Sequence, residues 1–211
     1  MQNVTWNDSI QTFITQAGSA NPTPGGGSVA ALAAALGAAM TSMVGNLSQG
    51  EKFASCRQLM SDTVDKMNLI ITRSEQLMIA DMTLFQVYMS ILKLPKDTEA
   101  EKLLRKQTLQ KAVINATDVP MQLVTLCKEG LFHTCQIADA ANKQVISDLG
   151  IGAILLDSAA QSAALTAEIN LASIQDMELK QQYSDNLRLL LHEIGELKEQ
   201  VVQTTRSRIG N

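Results

Sequence analysis

An all-helical fold, one bundle of long helices running through residues 1–211, is predicted from three features of the sequence. Hydrophobic residues make up 45% of the chain but aromatics only 3%. The core must therefore be filled by Ala, Leu, Ile, Val and the ten methionines, whereas strands lean on aromatic and β-branched side chains. Two stretches, 29–47 and 146–174, are Ala-rich and almost uncharged, a composition that lets helices pack closely. Period-two alternation is confined to short fragments, while apolar residues return at helical spacing along most of the chain.

Taken in order, "WNDSIQTFITQAG" reads as a short first helix, with Asp8 or Ser9 near its start and Gly18 at its end. A Pro/Gly loop, "NPTPGGGS", leads into an Ala-rich helix from about Ser28 to Leu47, which breaks near Gly50. A long helix is expected over 52–92, with Leu59, Val64, Met67, Ile71, Leu77 and Met78 on its inner side. Pro95 stops it, and Thr98 followed by Glu101 has the form of a capping box. That box opens a helix over 99–117 with Leu103, Leu104, Leu109 and Val113 inward. Pro120 either sits in the first turn of the next helix, over 121–140, or kinks a continuous one. The second Ala-rich helix is expected to open at Ser147 or Asp148. The last, about 176–207, carries Leu187, Leu190, Leu191, Ile194, Leu197 and Val201 on one face.

Composition narrows the function classes. A net charge of −4 leaves no basic footprint for nucleic acid. Cys56, Cys127 and Cys135 are odd in number and lack metal-type spacing, so they read as reduced thiols. The N-terminal stretch has no charged region followed by an apolar core, so a secretory signal is not expected and a cytoplasmic location is. Residues 29–47 approach membrane-spanning length, but their small side chains and lack of flanking Lys/Arg point to a buried helix and no membrane role. Glu-x-x-His pairs, which a di-metal bundle would need, are absent, and no metal is expected.

Gly25, Gly26 and Gly27 ahead of Ser28 raise a local question. A helix N-terminus exposes unpaired N–H groups and the positive end of the macrodipole. Glycines there let backbone approach a ligand without interference from Cβ. On the residues alone this is equally a helix cap, with Ser28 as N-cap after a tight turn.

"PTPGGGSVAALAAALGAAMTSMVGNL" resembles the opening motif of the formiminotransferase-cyclodeaminase family, in its cyclodeaminase part and the stand-alone relatives that include methenyltetrahydrofolate cyclohydrolases. "DMTLFQVYMSILKLPKDTEAEK" at 81–102, "NKQVISDLGIGAILL" at 142–156 and "INL" at 169–171 follow in the family's order and spacing. The chain departs from the family pattern at Thr166, where an Asn is common, and at "GEKF", a less basic run than usual. The resemblance implies an all-helical homodimer that works on a tetrahydrofolate derivative as substrate.

It further implies roles for particular residues. Asp81, within the apolar "LMIADMTLF", becomes the candidate acid/base, although its pattern alone also fits a solvent-facing helix residue. Asp148 is a second catalytic candidate, with capping of the helix as its other reading, a task Ser147 could share. Gly25, Gly26, Gly27 and Ser28 would form one wall of the folate cleft, and small side chains at 30–39 and 159–167 would leave space for a flat ligand or for close helix contact across a dimer. Asn142 and Asn170 offer amides to the pterin edge, and Lys52 and Lys96 offer cations to the folate glutamate tail. The expected activity is conversion of 5-formiminotetrahydrofolate to 5,10-methenyltetrahydrofolate and ammonia. The alternatives are methenyltetrahydrofolate cyclohydrolase and a helical dimer that binds folate without turnover.

Overall fold

The computed structural model describes residues 4–210. Among them are six α-helices and no strand: α1 (Ile10–Ala17), α2 (Gly26–Asn46), α3 (Arg57–Ile91), α4 (Glu99–Ile137), α5 (Ile146–Leu171) and α6 (Met177–Gly210). Short 3-10 turns at Glu51–Cys56 and Lys143–Val145 lead into α3 and α5.

Side-chain caps fix several of the starts. Ser9 accepts the Thr12 N–H at 3.0 Å and opens α1, while Asp8 turns back to Thr5. Thr98 and Glu101 form the reciprocal box ahead of α4, and Asp176 accepts from the N–H groups of Glu178 and Leu179 at the start of α6. Two expected starts move. α2 begins at Gly26 with Gly25 as N-cap, so Ser28 lies inside the first turn and is not the cap. α5 begins at Ile146, so Ser147 and Asp148 also lie in the first turn and cap nothing. The helix expected from residue 52 starts as α3 at Arg57, after the 3-10 turn.

α4 runs unbroken through Pro120. A proline inside a helix removes the N–H that would bond the carbonyl four residues earlier, here Ala116. That carbonyl is not orphaned: the Asn170 side-chain amide donates to it at 2.9 Å. Leu103 and Leu104 correct the sequence expectation, since both are exposed. Gln110 bonds Ser173 and Gln175 just past the end of α5. The first turns of α4 therefore lie past the end of α5, which cannot cover Leu103 and Leu104.

One buried cluster draws on all six helices. With few rings available, Met60, Met67, Met78 and Met82 are among its largest fully buried side chains, consistent with thioethers filling irregular gaps. α2 packs antiparallel to both α3 and α5, and α4 and α6 close the far side. Windows of α2 and α5 are long and apolar enough to cross a membrane, and 61% and 50% of those windows are buried within the fold.

The alanines of α2 and α5 serve helix contact more than an open cleft: Ala34, Ala38, Ala159, Ala160 and Ala163 are all fully buried. At the closest approach a Cβ on Gly37 would lie 2.9 Å from the Gly152 carbonyl oxygen and 3.0 Å from the Leu156 nitrogen. Backbone cannot step aside as a side-chain tip can. Gly37→Ala should therefore lower stability by about 1–3 kcal/mol through overpacking, in spite of the ~1 kcal/mol gain in helix propensity. Urea denaturation of the purified variant checks this, and a rise in the midpoint would refute it.

Candidate active site

The loop Asn21–Gly25, which contains a cis Thr23–Pro24 peptide, delivers the chain to the N-terminus of α2. There Gly27 and Ser28 meet Asp81 of α3, fifty-three positions later than Ser28. The Ser28 hydroxyl donates to Asp81 Oδ2 at 2.9 Å, and the Ser28 backbone N–H donates to the same carboxylate. Ser28 is fully buried. A Cβ on Gly27 would fall 2.3 Å from Asp81 Oδ1, so only glycine admits the carboxylate here.

One amide at this helix N-terminus, that of Ser28, is taken by the chain's own aspartate, while Gly25, Gly26 and Gly27 line the cavity that Asp81 faces. Burial holds the Asp81 carboxyl above the usual aspartate range, against the two Ser28 hydrogen bonds that pull it down.

Asp81 looks into a cavity of about 690 Å³, within the range that accommodates a drug-sized molecule. Pro22, Thr23 and Gly25–Gly27 form one side, and Leu84, Phe85 and Tyr88 of α3 another. Val113, Ala116 and Val119 of α4 and Leu165, Thr166, Ile169 and Asn170 of α5 complete it. Asp81 is the one carboxylate in this lining, and no Lys or Arg is present among the described lining residues. The cavity is therefore an apolar slot with a single ionisable acid at one side and the Asn170 amide across from it.

Asn170 is held by the helix irregularity at Pro120, a feature missed in the sequence reading. Proline four residues after an alanine frees one carbonyl, and that signal was present in "NATDVP" without a visible partner. Pro120→Ala restores the missing N–H and sets it in competition with Asn170 for the Ala116 oxygen. Losing a hydrogen bond of about 0.5–1.5 kcal/mol should weaken substrate binding roughly two- to tenfold. Folding should be undiminished, since alanine suits a helix interior better. KM measured in wild-type and Asn170→Ala backgrounds tests the link, because the Pro120 effect should disappear in the second.

The other residues singled out in the sequence are not at this cavity within one chain. Asn142 caps the 3-10 turn before α5, donates to the Leu47 carbonyl at 3.0 Å and receives the Gln144 N–H. With the buried Ser48, whose hydroxyl accepts the Asn142 N–H, it ties that turn to the C-terminal end of α2. Ser147 is exposed and Asp148 half-buried in the first turn of α5. Lys52 is exposed and lies over the Phe53 ring. All four belong to the end of α2 opposite Gly25, about 30 Å away at 1.5 Å per residue. Lys96 is exposed in the α3–α4 connection beyond the cavity. Among the described residues, no group of three or more His, Cys, Asp or Glu is placed to hold a metal ion. The three cysteines are free thiols, and burial pushes that of Cys127 upward.

The fold and the site together define a helical protein that presents one half-buried carboxylate to an otherwise uncharged cavity. The chain belongs to the formiminotransferase-cyclodeaminase family, whose sequence profile matches residues 9–189. It is 32% identical over 204 residues to a methenyltetrahydrofolate cyclohydrolase of Methylorubrum extorquens, covering 96% of this chain and 98% of that one. It is 33% identical over 185 residues to the formimidoyltransferase-cyclodeaminase of Gallus gallus, a match covering 87% of this chain and 34% of that longer protein. The crystal structure of a formiminotetrahydrofolate cyclodeaminase from Thermotoga maritima superposes with a TM-score of 0.86, over 95% of this chain and 97% of that one, at 24% identity. That likeness establishes the all-helical fold.

Proposed function

We propose that this chain is an enzyme of one-carbon metabolism acting at the N5/N10 bridge of tetrahydrofolate, with 5-formiminotetrahydrofolate as substrate and 5,10-methenyltetrahydrofolate and ammonia as products. The observation that carries the reading is the Asp81 carboxylate, clamped by Ser28 beside an uncharged slot large enough for a pterin. The names of the family's members supply the substrate class.

In this reaction N10 attacks the carbon of the protonated formimino group, an amidinium, forming the C–N10 bond. A proton then passes from N10 to the departing nitrogen, and ammonia leaves as the cationic methenyl bridge forms. Asp81 suits the transfer: its ionised form accepts the N10 proton, and its raised affinity for that proton favours a carboxylic acid long enough to hand it on. The carboxylate also stabilises the cation that develops in a site with little water. Phe85 and Tyr88 offer faces for the flat ring, and the Asn170 amide offers a polar contact at its edge.

The cyclohydrolase reaction is a second reading, favoured by the near-complete overlap with the stand-alone Methylorubrum extorquens protein. There water adds to the methenyl carbon and loses one proton to the carboxylate; the remaining hydroxyl proton then passes to N5 as the C–N5 bond breaks, giving 10-formyltetrahydrofolate. Purified protein should release ammonia from 5-formiminotetrahydrofolate, or remove methenyl absorbance faster than buffer alone. Neither signal above the buffer rate would remove the enzyme reading, and binding without turnover would leave a folate-binding helical protein.

A further inference from the structure

The end of the cavity farthest from Asp81 is closed by a chain corner and not by a helix. Asp81 and Tyr88 both line the cavity, and they share one side of α3 about 10 Å apart along its axis. Tyr88 packs against Val113 of α4, Leu171 at the end of α5 and Ile174 beyond it. Two polar side chains reach the cavity beside them: Asn170, in the last turn of α5, and Ser173, in the α5–α6 connection. The Ser173 N–H donates to the Asn170 carbonyl at 2.9 Å, so the two lie one turn apart. Ser173 is exposed at the cavity edge, and its hydroxyl can both donate and accept.

One side chain of α4 holds this corner. Gln110 donates from Nε2 to the Ser173 carbonyl at 3.1 Å, and its Oε1 accepts the Gln175 N–H at 2.9 Å. The two bonds bracket Ile174, which is 3% exposed, so the amide fixes both the place and the orientation of the segment between them. The helix ends on either side do not need this help. Ala172 and Ser173 already donate to the carbonyls of Glu168 and Asn170, and Asp176 caps α6. Gln110 itself is not among the lining residues; it reaches the cavity only through the corner.

We propose that Gln110 is a positioning residue for substrate binding: it holds the Ser173 hydroxyl beside the Asn170 amide, where the pair meets the polar edge of the bound ring. This rests on the folate reading, which sets a pterin against Phe85 and Tyr88 with the reacting carbon at Asp81. A pterin edge carries alternating N–H donors and acceptor atoms, and a hydroxyl next to an amide can answer both kinds. The gain is in binding and not in chemistry, because the corner lies about 10 Å along α3 from the carboxylate that moves the proton.

The test uses the full chain. Gln110→Ala should raise KM roughly three- to tenfold and leave kcat within about twofold of the wild type, since a freed corner is in its binding arrangement only part of the time. Ser173→Ala should raise KM by a similar factor, and adding Gln110→Ala to it should raise KM no further. Hydrogen exchange followed by NMR reads the hold without substrate: the Gln175 amide should exchange faster in Gln110→Ala while the amides of α5 keep their wild-type rates. Gln110→Glu keeps the acceptor for Gln175 but sets a carboxylate oxygen against the Ser173 carbonyl, so it should show the same split and covers any loss of fold in the alanine variant. An unchanged KM, a loss confined to kcat, or losses that multiply in the double variant would overturn the proposal. A wild type that turns over neither folate instead ends the folate reading and this role with it, a result distinct from the others because each of those requires an active wild type.

Discussion

Asp81→Asn should reduce turnover by about 10²–10⁴-fold, the scale of a positioned acid/base, and the variant should melt no lower than the wild type. The two outcomes have one cause. Burial raises the folded-state pKa of Asp81, so the folded protein holds the proton more tightly than the unfolded chain does. The stability this contributes is complete below the ordinary aspartate pKa and is lost as pH rises through the higher folded value. At neutral pH the ionised carboxylate therefore weighs against folding. Asparagine keeps the shape, accepts the Ser28 N–H through Oδ1 and donates to the Ser28 hydroxyl, without the charge. Melting curves should show the variant's advantage at neutral pH and its disappearance in acid. The wild-type kcat/KM should fall on an acid limb displaced upward from the usual aspartate range, with no such limb in the residual activity of the variant. A destabilised variant, or one with undiminished turnover, contradicts the assignment.

Much of the helical architecture was legible because helix ends carry their own chemistry. Ser9, the Thr98–Glu101 box and Gly18 mark termini through bonds among neighbours in sequence, and methionines at helical spacing fell in the core where expected. Faces that depend on a distant neighbour were less legible. Leu103 and Leu104 have the right period, but α5 ends before it can cover them. Pro120 left two possibilities open because the group that tolerates it, the Asn170 amide, lies fifty residues further on.

The site divided along the same line. Gly25–Ser28, Asp81 and Asn170 converge at one end of the bundle. Lys52, Asn142, Ser147 and Asp148 gather at the other, since antiparallel packing sends the two ends of α2 and α5 apart. Periodicity tells which side of a helix is buried. It says nothing about which ends meet.

Gly27→Ala is the smallest change that should disable the site. Nothing in the backbone objects to it, since no described glycine has a positive φ, and alanine favours a helix by about 1 kcal/mol. The conflict is with Asp81 alone: the added carbon would lie 2.3 Å from Oδ1, 2.7 Å from Cγ and 2.9 Å from Oδ2. The carboxylate must swing away and give up both Ser28 bonds. The fully buried Ser28 N–H then loses its partner, at a cost of about 1–3 kcal/mol, so the net loss of stability should be ~0–2 kcal/mol once the helix gain is set against it. Turnover should fall nearly as far as in Asp81→Asn, because an acid/base displaced by an ångström or more no longer reaches the proton it must move. The double variant should be no worse than Asp81→Asn alone, since both changes remove one function. Additive losses in kcat/KM would mean that Gly27 acts on the substrate directly and not through the position of Asp81.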